Sequence, residues 1–225
     1  MNYHLVIVAG GLGTRLGKTE NMPKPLVDIN GLSLISRIIL AFDKTKLFKQ
    51  FHILTCFNKQ LFKKVIDNEI SSLNVKIYEE GKRTGRFGAI KYFIETQNEI
   101  SNFFVCNGDT IFLDLKRDQL FSALEDFNGK PIIYLSPKDN SRSDYKEVKI
   151  VLKKSEVSYQ NSGLFFTNRE WIENSYMKNS NFSDIDEHLF LNKDSYESQI
   201  LSGKIIDGGT PDRILKIRNS FNEYC

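Results

Sequence analysis

No segment of the 225-residue sequence approaches 18 consecutive apolar residues, so no membrane-spanning helix is expected. The opening residues, Met1 to Gly10, lack a basic n-region and hold too short an apolar stretch for a secretory signal; the expected location is the cytoplasm. Cysteine is scarce as well. Cys56, Cys106 and Cys225 are odd in number and far apart, with no CxxC or Cys/His spacing, which excludes a disulfide framework and a zinc finger. Cys56 and Cys106 lie inside apolar runs and read as buried thiols of a reducing compartment. The three histidines, His4, His52 and His188, are scattered and read as structural. Charge of one sign is not in excess: 31 basic against 28 acidic residues give +3, and the densest basic clusters are pairs, Lys63-Lys64 and Lys153-Lys154. A nucleic-acid-binding face would concentrate its charge more than this. Internal repeats, low-complexity tracts and long linkers are also missing.

Apolar residues form 40% and charged residues 26% of the chain, a composition that buries a core without staples. The first half alternates short apolar runs with amphipathic stretches. Tyr3 to Ala9, Phe51 to Phe57, Val75 to Tyr78 and Phe103 to Cys106 read as strands. Ser33 to Phe42, Gln60 to Ile70 and Gly88 to Thr96 read as the helices between them. This βαβαβαβ order predicts a Rossmann-like three-layer α/β fold with a mostly parallel central sheet. The second half predicts four short strands at Lys130 to Leu135, Val148 to Leu152, Glu156 to Tyr159 and Gly163 to Phe166. They form a small extension containing a β-hairpin that turns near Lys153-Lys154-Ser155. A short helix at Asp184 to Leu191, a strand at Lys204 to Asp207 and a closing helix at Pro211 to Phe221 follow, the last with proline in its first turn. One domain over 1–225 is expected, in two parts at 1–115 and 130–210.

Chemistry-bearing residues gather where predicted strands end, the place where open α/β sheets bind ligands. Gly10-Gly11-Leu12-Gly13-Thr14-Arg15 follows the first strand. Its glycines permit positive φ, so backbone N–H groups can turn around an anion, and Arg15 adds a forked cation suited to phosphate. It is neither a P-loop nor a full dinucleotide fingerprint, and on spacing alone a plain glycine-rich turn is the lesser competing reading. Pro23 and Pro25 hold Lys24 in extended backbone. Asn107-Gly108-Asp109-Thr110 ends the strand through Cys106, placing a carboxylate where Mg²⁺ with substrate phosphates can be held. Asp207-Gly208-Gly209-Thr210 repeats that form at a later strand end. Two aspartates at separate strand ends have the residue types for one metal; whether they converge is not written in the sequence.

In their order and spacing these four segments resemble the sugar-phosphate nucleotidylyltransferase family, from Leu5 to about Leu215. Within it the chain is most similar to the short bacterial enzymes that guanylylate D-glycero-α-D-manno-heptose 1-phosphate, through Gly88-Ala89-Ile90-Lys91, the run around Asn107, and Phe182-Ser183 leading into Asp186-Glu187. The resemblance implies an NTP, GTP or CTP, and a sugar 1-phosphate as substrates, Mg²⁺ as cofactor, and no nucleic-acid or membrane partner. It implies that 1–115 is a nucleotide-binding part, in which Gly10, Gly11, Leu12, Gly13, Thr14, Gly88 and Asn107 bind the nucleotide, and that 130–210 is a sugar-phosphate-binding part. Arg15 would neutralise the β- and γ-phosphates, Lys24 would contact the sugar phosphate and α-phosphate, and Asp109 and Asp207 would hold the metal. Asn161 and Gly163 match the family's sugar-contacting strand. A homo-oligomer is left open, since apolar residues on the late helices suit a dimer or a core.

Two stretches depart from the family pattern. Arg86 and Phe87 stand where a glycine-rich loop usually precedes the Ala-Ile helix. Leu152 to Val157 lacks the Glu-Lys segment that contacts sugar phosphate in many relatives. The alternatives are therefore a cytidylyltransferase acting on a sugar phosphate or a small phosphorylated alcohol or amine, a metal-dependent glycosyltransferase, and a non-catalytic nucleotide-binding regulator.

Overall fold

The computed structural model describes residues 2–11, 22–137, 147–152, 155–178, 185 and 196–222. Its main sheet is built around strand β1 (Tyr3–Val8), whose alternate side chains face two separate apolar layers. Leu5 and Ile7 join one layer and Val6 the other, so the strand is apolar on both faces. Such a strand has to lie at the centre of a sheet covered on both sides.

Parallel to β1 run β4 (Phe48–Thr55) on one side and β6 (Asn102–Asn107) on the other. Beyond β4 lies β5 (Val75–Glu79), also parallel. Beyond β6 the sheet continues through β10 (Ser155–Asn168), β8 (Ile132–Pro137) and β11 (Glu197–Ile200). The strand β10 is antiparallel to both neighbours, while β11 is parallel to β8. The strand β9 (Glu147–Leu152) pairs with the first part of β10 as the expected hairpin; its Lys153-Lys154 turn lies outside the described residues. A mostly parallel sheet with a hairpin extension is thus the fold.

One face is covered by α1 (Leu34–Asp43) and α2 (Lys59–Glu69). The α1 helix starts where Ser33 Oγ accepts from Ser36 N at 3.3 Å, and it buries Leu34, Ile35, Ile38, Ile39 and Phe42. Truncating the fully buried Phe42 would cost on the order of 3–5 kcal/mol. The opposite face is covered by α3 (Gly85–Thr96), through Phe87, Ile90, Phe93 and Ile94. There α5 (Arg169–Lys178) packs through Ile172, and Arg169 Nη2 donates to Ile94 O and Gln97 O, each at 2.6 Å, satisfying carbonyls at the end of α3.

Two small antiparallel sheets position the site. The hairpin β2 (Asp28–Ile29) and β3 (Leu32–Ser33) turns through left-handed Asn30 and Gly31. The strands β7 (Thr110–Phe112) and β12 (Ile205–Asp207) join the end of the first half to the end of the second. The chain closes with α6 (Pro211–Asn222), and α4 (Arg117–Phe121) follows β7.

Two expectations need correction. The segments read as separate strands at Glu156 to Tyr159 and Gly163 to Phe166 are one strand, β10, in which a register shift between Asn161 and Leu164 absorbs the apparent break. The second half also holds helix α5 and strand β11, which the sequence pattern does not signal. Of the helix expected at Asp184 to Leu191, only Ile185, helical and buried, lies within the described residues.

Candidate active site

Four of the expected site segments meet at the carboxyl ends of β1 and β6. Beyond β1, Ala9 N donates to Leu54 O at 2.8 Å, which carries the chain past the end of β4 into Gly10 and Gly11. Neither glycine takes a positive φ. Gly10 is instead constrained by proximity, because a Cβ there would lie 3.3 Å from the Cys56 backbone N. Leu12, Gly13, Thr14 and Arg15 lie outside the described residues.

The two aspartates are brought together through backbone. Asp207, the last residue of β12, is registered opposite Thr110, the first of β7. Directly beyond, Gly208 N donates to Asp109 O at 2.6 Å. Residues 98 positions apart in sequence thus share one small sheet, and each acid has its own cation. Lys24, expected in extended backbone, instead opens a short 3₁₀ segment, Lys24–Leu26, with Pro25 in its first turn, and is ion-paired with Asp109 Oδ2. Asp207 Oδ1 accepts from Arg213 Nη1 at 3.1 Å and from Gly209 N at 2.7 Å. Asp207 is buried, so an unpaired carboxylate there would be costly, and the arginine offsets that charge. Arg213 was not singled out from sequence. The signal was available: a proline two residues earlier starts a helix whose first turn faces back to Asp207.

The donor set suits Mg²⁺, a hard cation that takes one or two carboxylates and completes its shell with water and phosphate oxygens. Among the described residues no group of three or more His, Cys, Asp or Glu could hold a metal ion unaided. A magnesium ion bound here would therefore share its coordination with substrate.

Asn107 links the middle of the site to its far side. Its Oδ1 accepts from Arg86 Nη1 at 3.0 Å, tying the first turn of α3 to the end of β6. Its Nδ2 faces Gly163, where a Cβ would come within 2.7 Å. Gly163 has φ +80°, and its N–H donates to Asn161 Oδ1 at 3.0 Å. Only glycine meets both the left-handed backbone and the close approach without strain. Asn161 and Gly163 thus lie beside Asn107. Arg86, a departure from the expected small-residue loop, is joined to it. Phe87 is buried in the α3 layer, packed edge-on against Tyr176 with ring centroids 5.4 Å apart.

Gly88 is inside α3 and buried. A Cβ there would lie 2.3 Å from Thr84 Cβ, so its role is to make room for Thr84. The Thr84 hydroxyl in turn donates to Glu80 Oε2 at the end of β5. Burial raises the Glu80 pKa, while the Thr84 hydrogen bond and Lys82 oppose the shift. Burial, and secondarily Glu80, push the neighbouring Cys56 thiol up, so it is not an activated nucleophile. The Cys106 thiol, fully buried under the site, is raised for the same first reason, with Asp109 adding to it. No helix among the described residues is long and apolar enough to cross a membrane.

Residues 5–142 match the MobA-like NTP transferase domain. The chain is 33% identical over 137 residues to the bifunctional protein GlmU of Methanococcus aeolicus, which is 60% of this chain and 30% of that protein. It therefore spans less than a third of the length of the curated relatives it matches. Among solved structures, HddC from Yersinia pseudotuberculosis complexed with GMP-PN is 25% identical, with a TM-score of 0.74 over 97% of this chain and 99% of that one. A UDP-glucose pyrophosphorylase complexed with UDP-glucose superimposes over 100% of both chains with a TM-score of 0.80 at 17% identity, a likeness of fold. With the matched domain covering more than half of the sequence, the chain belongs to the family of MobA-like NTP transferase domains.

Proposed function

We propose that the chain is a magnesium-dependent nucleotidyltransferase that joins an NTP to a sugar 1-phosphate and releases pyrophosphate. The leading substrate pair is GTP with D-glycero-α-D-manno-heptose 1-phosphate. The observation that carries this reading is the joining of Asp109 and Asp207 through the β7–β12 pairing, with Lys24 on Asp109 and the Gly10-Gly11 turn at the adjacent strand end. The GMP-PN complex of HddC supports a guanine nucleotide.

The chemistry is an in-line displacement. A phosphate oxygen of the sugar 1-phosphate attacks the α-phosphorus, the bond to the β-phosphate oxygen breaks, and pyrophosphate leaves. The attacking phosphate is already an anion at neutral pH, so no general base is required. The barrier lies in bringing two polyanions together, which positioning and fixed positive charge lower. Lys24 orients the sugar phosphate and α-phosphate; Arg15 neutralises the β- and γ-phosphates and the departing pyrophosphate. The backbone of Gly10, Gly11 and Gly13, with Leu12 and Thr14, cradles the nucleotide in the part formed by 1–115. Asn161 and Gly163 orient the sugar in the part formed by 130–210. Asp109 and Asp207 would hold a magnesium ion, which when bound would add charge neutralisation at the phosphates. The reaction belongs to the cytoplasm, and its product is an activated sugar for surface polysaccharide.

A matrix of four triphosphates against several sugar 1-phosphates, read by pyrophosphate release with and without Mg²⁺, tests this. GTP-selective, magnesium-dependent turnover with the heptose phosphate is expected. CTP-selective turnover with GTP silent would move the chain to the cytidylyltransferases, and silence throughout would overturn nucleotidyl transfer.

A further inference from the structure

We propose that Thr110 is a positioning residue for the divalent cation of the site, its hydroxyl holding a water molecule of the ion's shell beside Asp207; this deepens the nucleotidyl-transfer reading and rests on it. Thr110 opens β7 directly after Asp109 and is registered opposite Asp207, the last residue of β12. One residue beyond that pair, Gly208 N donates to Asp109 O. A ladder bond placed there makes Thr110 and Asp207 a non-hydrogen-bonded antiparallel pair. In such pairs the Cα atoms approach to about 4.5 Å and the side chains stand closest, on one face of the sheet. The Thr110 side chain thus shares its face of the small sheet with the Asp207 carboxylate.

Thr110 is only 1% exposed, yet its Oγ1 has no hydrogen-bond partner among the described residues. A buried hydroxyl left unpaired costs free energy, and a methyl group of the same shape avoids that cost. Three other buried side-chain atoms share the lack: Ser136 Oγ, Thr167 Oγ1 and Arg169 Nε. Ser136 is registered opposite Gln160 and Thr167 opposite Phe103, while Arg169 starts α5. Of the four, Thr110 alone is paired with an acid of the site. Asp207 Oδ1 is turned toward Gly209 N and Arg213 Nη1, and the two paired side chains do not bond each other. Polar groups that stand this near without meeting are joined by water. Magnesium keeps several of its waters, and each of those needs partners around the ion. A hydroxyl has one donor and two lone pairs, so it can accept from such a water and still donate to a neighbouring oxygen. Valine would fill the same place with good strand propensity and no unpaired group, so the hydroxyl is the part of this side chain that calls for a ligand.

The test compares wild type with Thr110→Val, which keeps the shape and removes the hydroxyl, and with Thr110→Ser, which keeps the hydroxyl. Mn²⁺ is titrated into each protein with a non-hydrolysable analogue of GTP or CTP, and bound Mn²⁺ is read by water-proton relaxation. Thr110→Val is expected to weaken Mn²⁺ binding roughly 10- to 100-fold, and Thr110→Ser to stay within about threefold of wild type. The Mg²⁺ concentration for half-maximal pyrophosphate release should rise in the same proportion in Thr110→Val, with kcat at saturating Mg²⁺ little changed. Metal-free thermal unfolding should move the other way, the Tm of Thr110→Val equalling or exceeding that of wild type. Unchanged Mn²⁺ affinity in Thr110→Val, an equal loss in Thr110→Ser, or a clear fall in the metal-free Tm of Thr110→Val would make Thr110 a packing residue and overturn the proposal. Each of those results leaves nucleotidyl transfer standing, as does a wild type active without a divalent cation, which also overturns the role of Thr110. A wild type silent with every triphosphate overturns the nucleotidyl-transfer reading itself.

Discussion

At the amino-terminal end of the sheet, opposite the site, His4 Nδ1 and His52 Nε2 lie 2.8 Å apart, and His52 Nδ1 is 3.1 Å from the Tyr78 hydroxyl. His52 is fully buried and packs edge-on against Phe93 at 4.9 Å. Burial first, then His4, Lys76 and Lys49, push its pKa down to about 3. Burial, then Lys49 and Lys76, lower His4 to about 4. Both rings are thus neutral in the fold, while in the unfolded chain each titrates near 6.5. A depressed folded pKa gives stability that is fully present above 6.5 and is lost as the pH falls from there toward 3–4, because the unfolded chain takes up the protons. Between pH 7 and pH 5 the loss from His52 is about 2 kcal/mol. His4 is only half-buried, so solvent screening limits its share to ~1 kcal/mol or less. Against a total stability of roughly 5–15 kcal/mol this is a large fraction. Urea unfolding at pH 7, 6 and 5 should show the midpoint falling with little change in slope. His52→Gln should lower stability at pH 7 but flatten its dependence on pH. A midpoint that does not move between pH 7 and 5, or an unaltered pH dependence in His52→Gln, would refute the neutral buried pair.

Asp109→Ala and Arg15→Ala should each lower kcat by about two to three orders of magnitude while circular dichroism is unchanged, since in the proposed mechanism each supplies charge at the reacting phosphates. A variant with near-normal turnover would remove that residue from the mechanism. Gly163→Ala places a Cβ 2.7 Å from Asn107 Nδ2 on a backbone with φ +80°. It should cost about 1–2 kcal/mol and lower Tm by roughly 2–8 °C. KM for the sugar phosphate should rise more than KM for the nucleotide; unchanged Tm and KM values would show that the strand relaxes freely there.

The parallel half of the fold was legible because its strands are buried on both faces and its helices carry one apolar stripe. Leu34, Ile35, Ile38, Ile39 and Phe42 repeat at helical spacing, and each is buried in the layer under the sheet. The later half was less legible for separable reasons. Asn161-Ser162-Gly163 has the composition of a turn, yet its polar groups are satisfied inside a strand by Gly163 N–Asn161 Oδ1 and Leu164 N–Ser162 Oγ bonds of 3.0 and 3.3 Å. Local hydrogen bonds of this kind can end a strand or bend it, and only the neighbours β6 and β8 decide which. Glu197 to Ile200 is an edge strand paired on one side, and its polar residues give no apolar run to detect. Among the described side chains of the helix Arg169–Lys178, Ile172 and Ser175 are buried and Trp171 and Tyr176 only partly so, too narrow a stripe to stand out from the polar residues around it.

For the site, residue types were legible and partnerships were not. Acids after apolar strands, a lysine between prolines and a glycine-rich turn follow from local rules, since each is set by a few neighbouring residues. The approach of Asp109 to Asp207 depends on the pairing of β7 with β12; the sequence pattern signals β12 but not the three-residue β7, and it does not show that the two pair. The pairing has an electrostatic condition of its own. The two acids sit on adjoining backbone, and a carboxylate that is buried, as at Asp207, is costly unless a cation offsets it. Lys24 on Asp109 and Arg213 on Asp207 meet the condition from two different turns, one opened by Pro23 and one by Pro211. Proline fixes φ where each turn begins, so the two cations are delivered by backbone that is stiff before any ligand arrives. A sequence reader who asks which cation offsets each acid, rather than only which acids could hold a metal, would look to the residues just after each of those prolines.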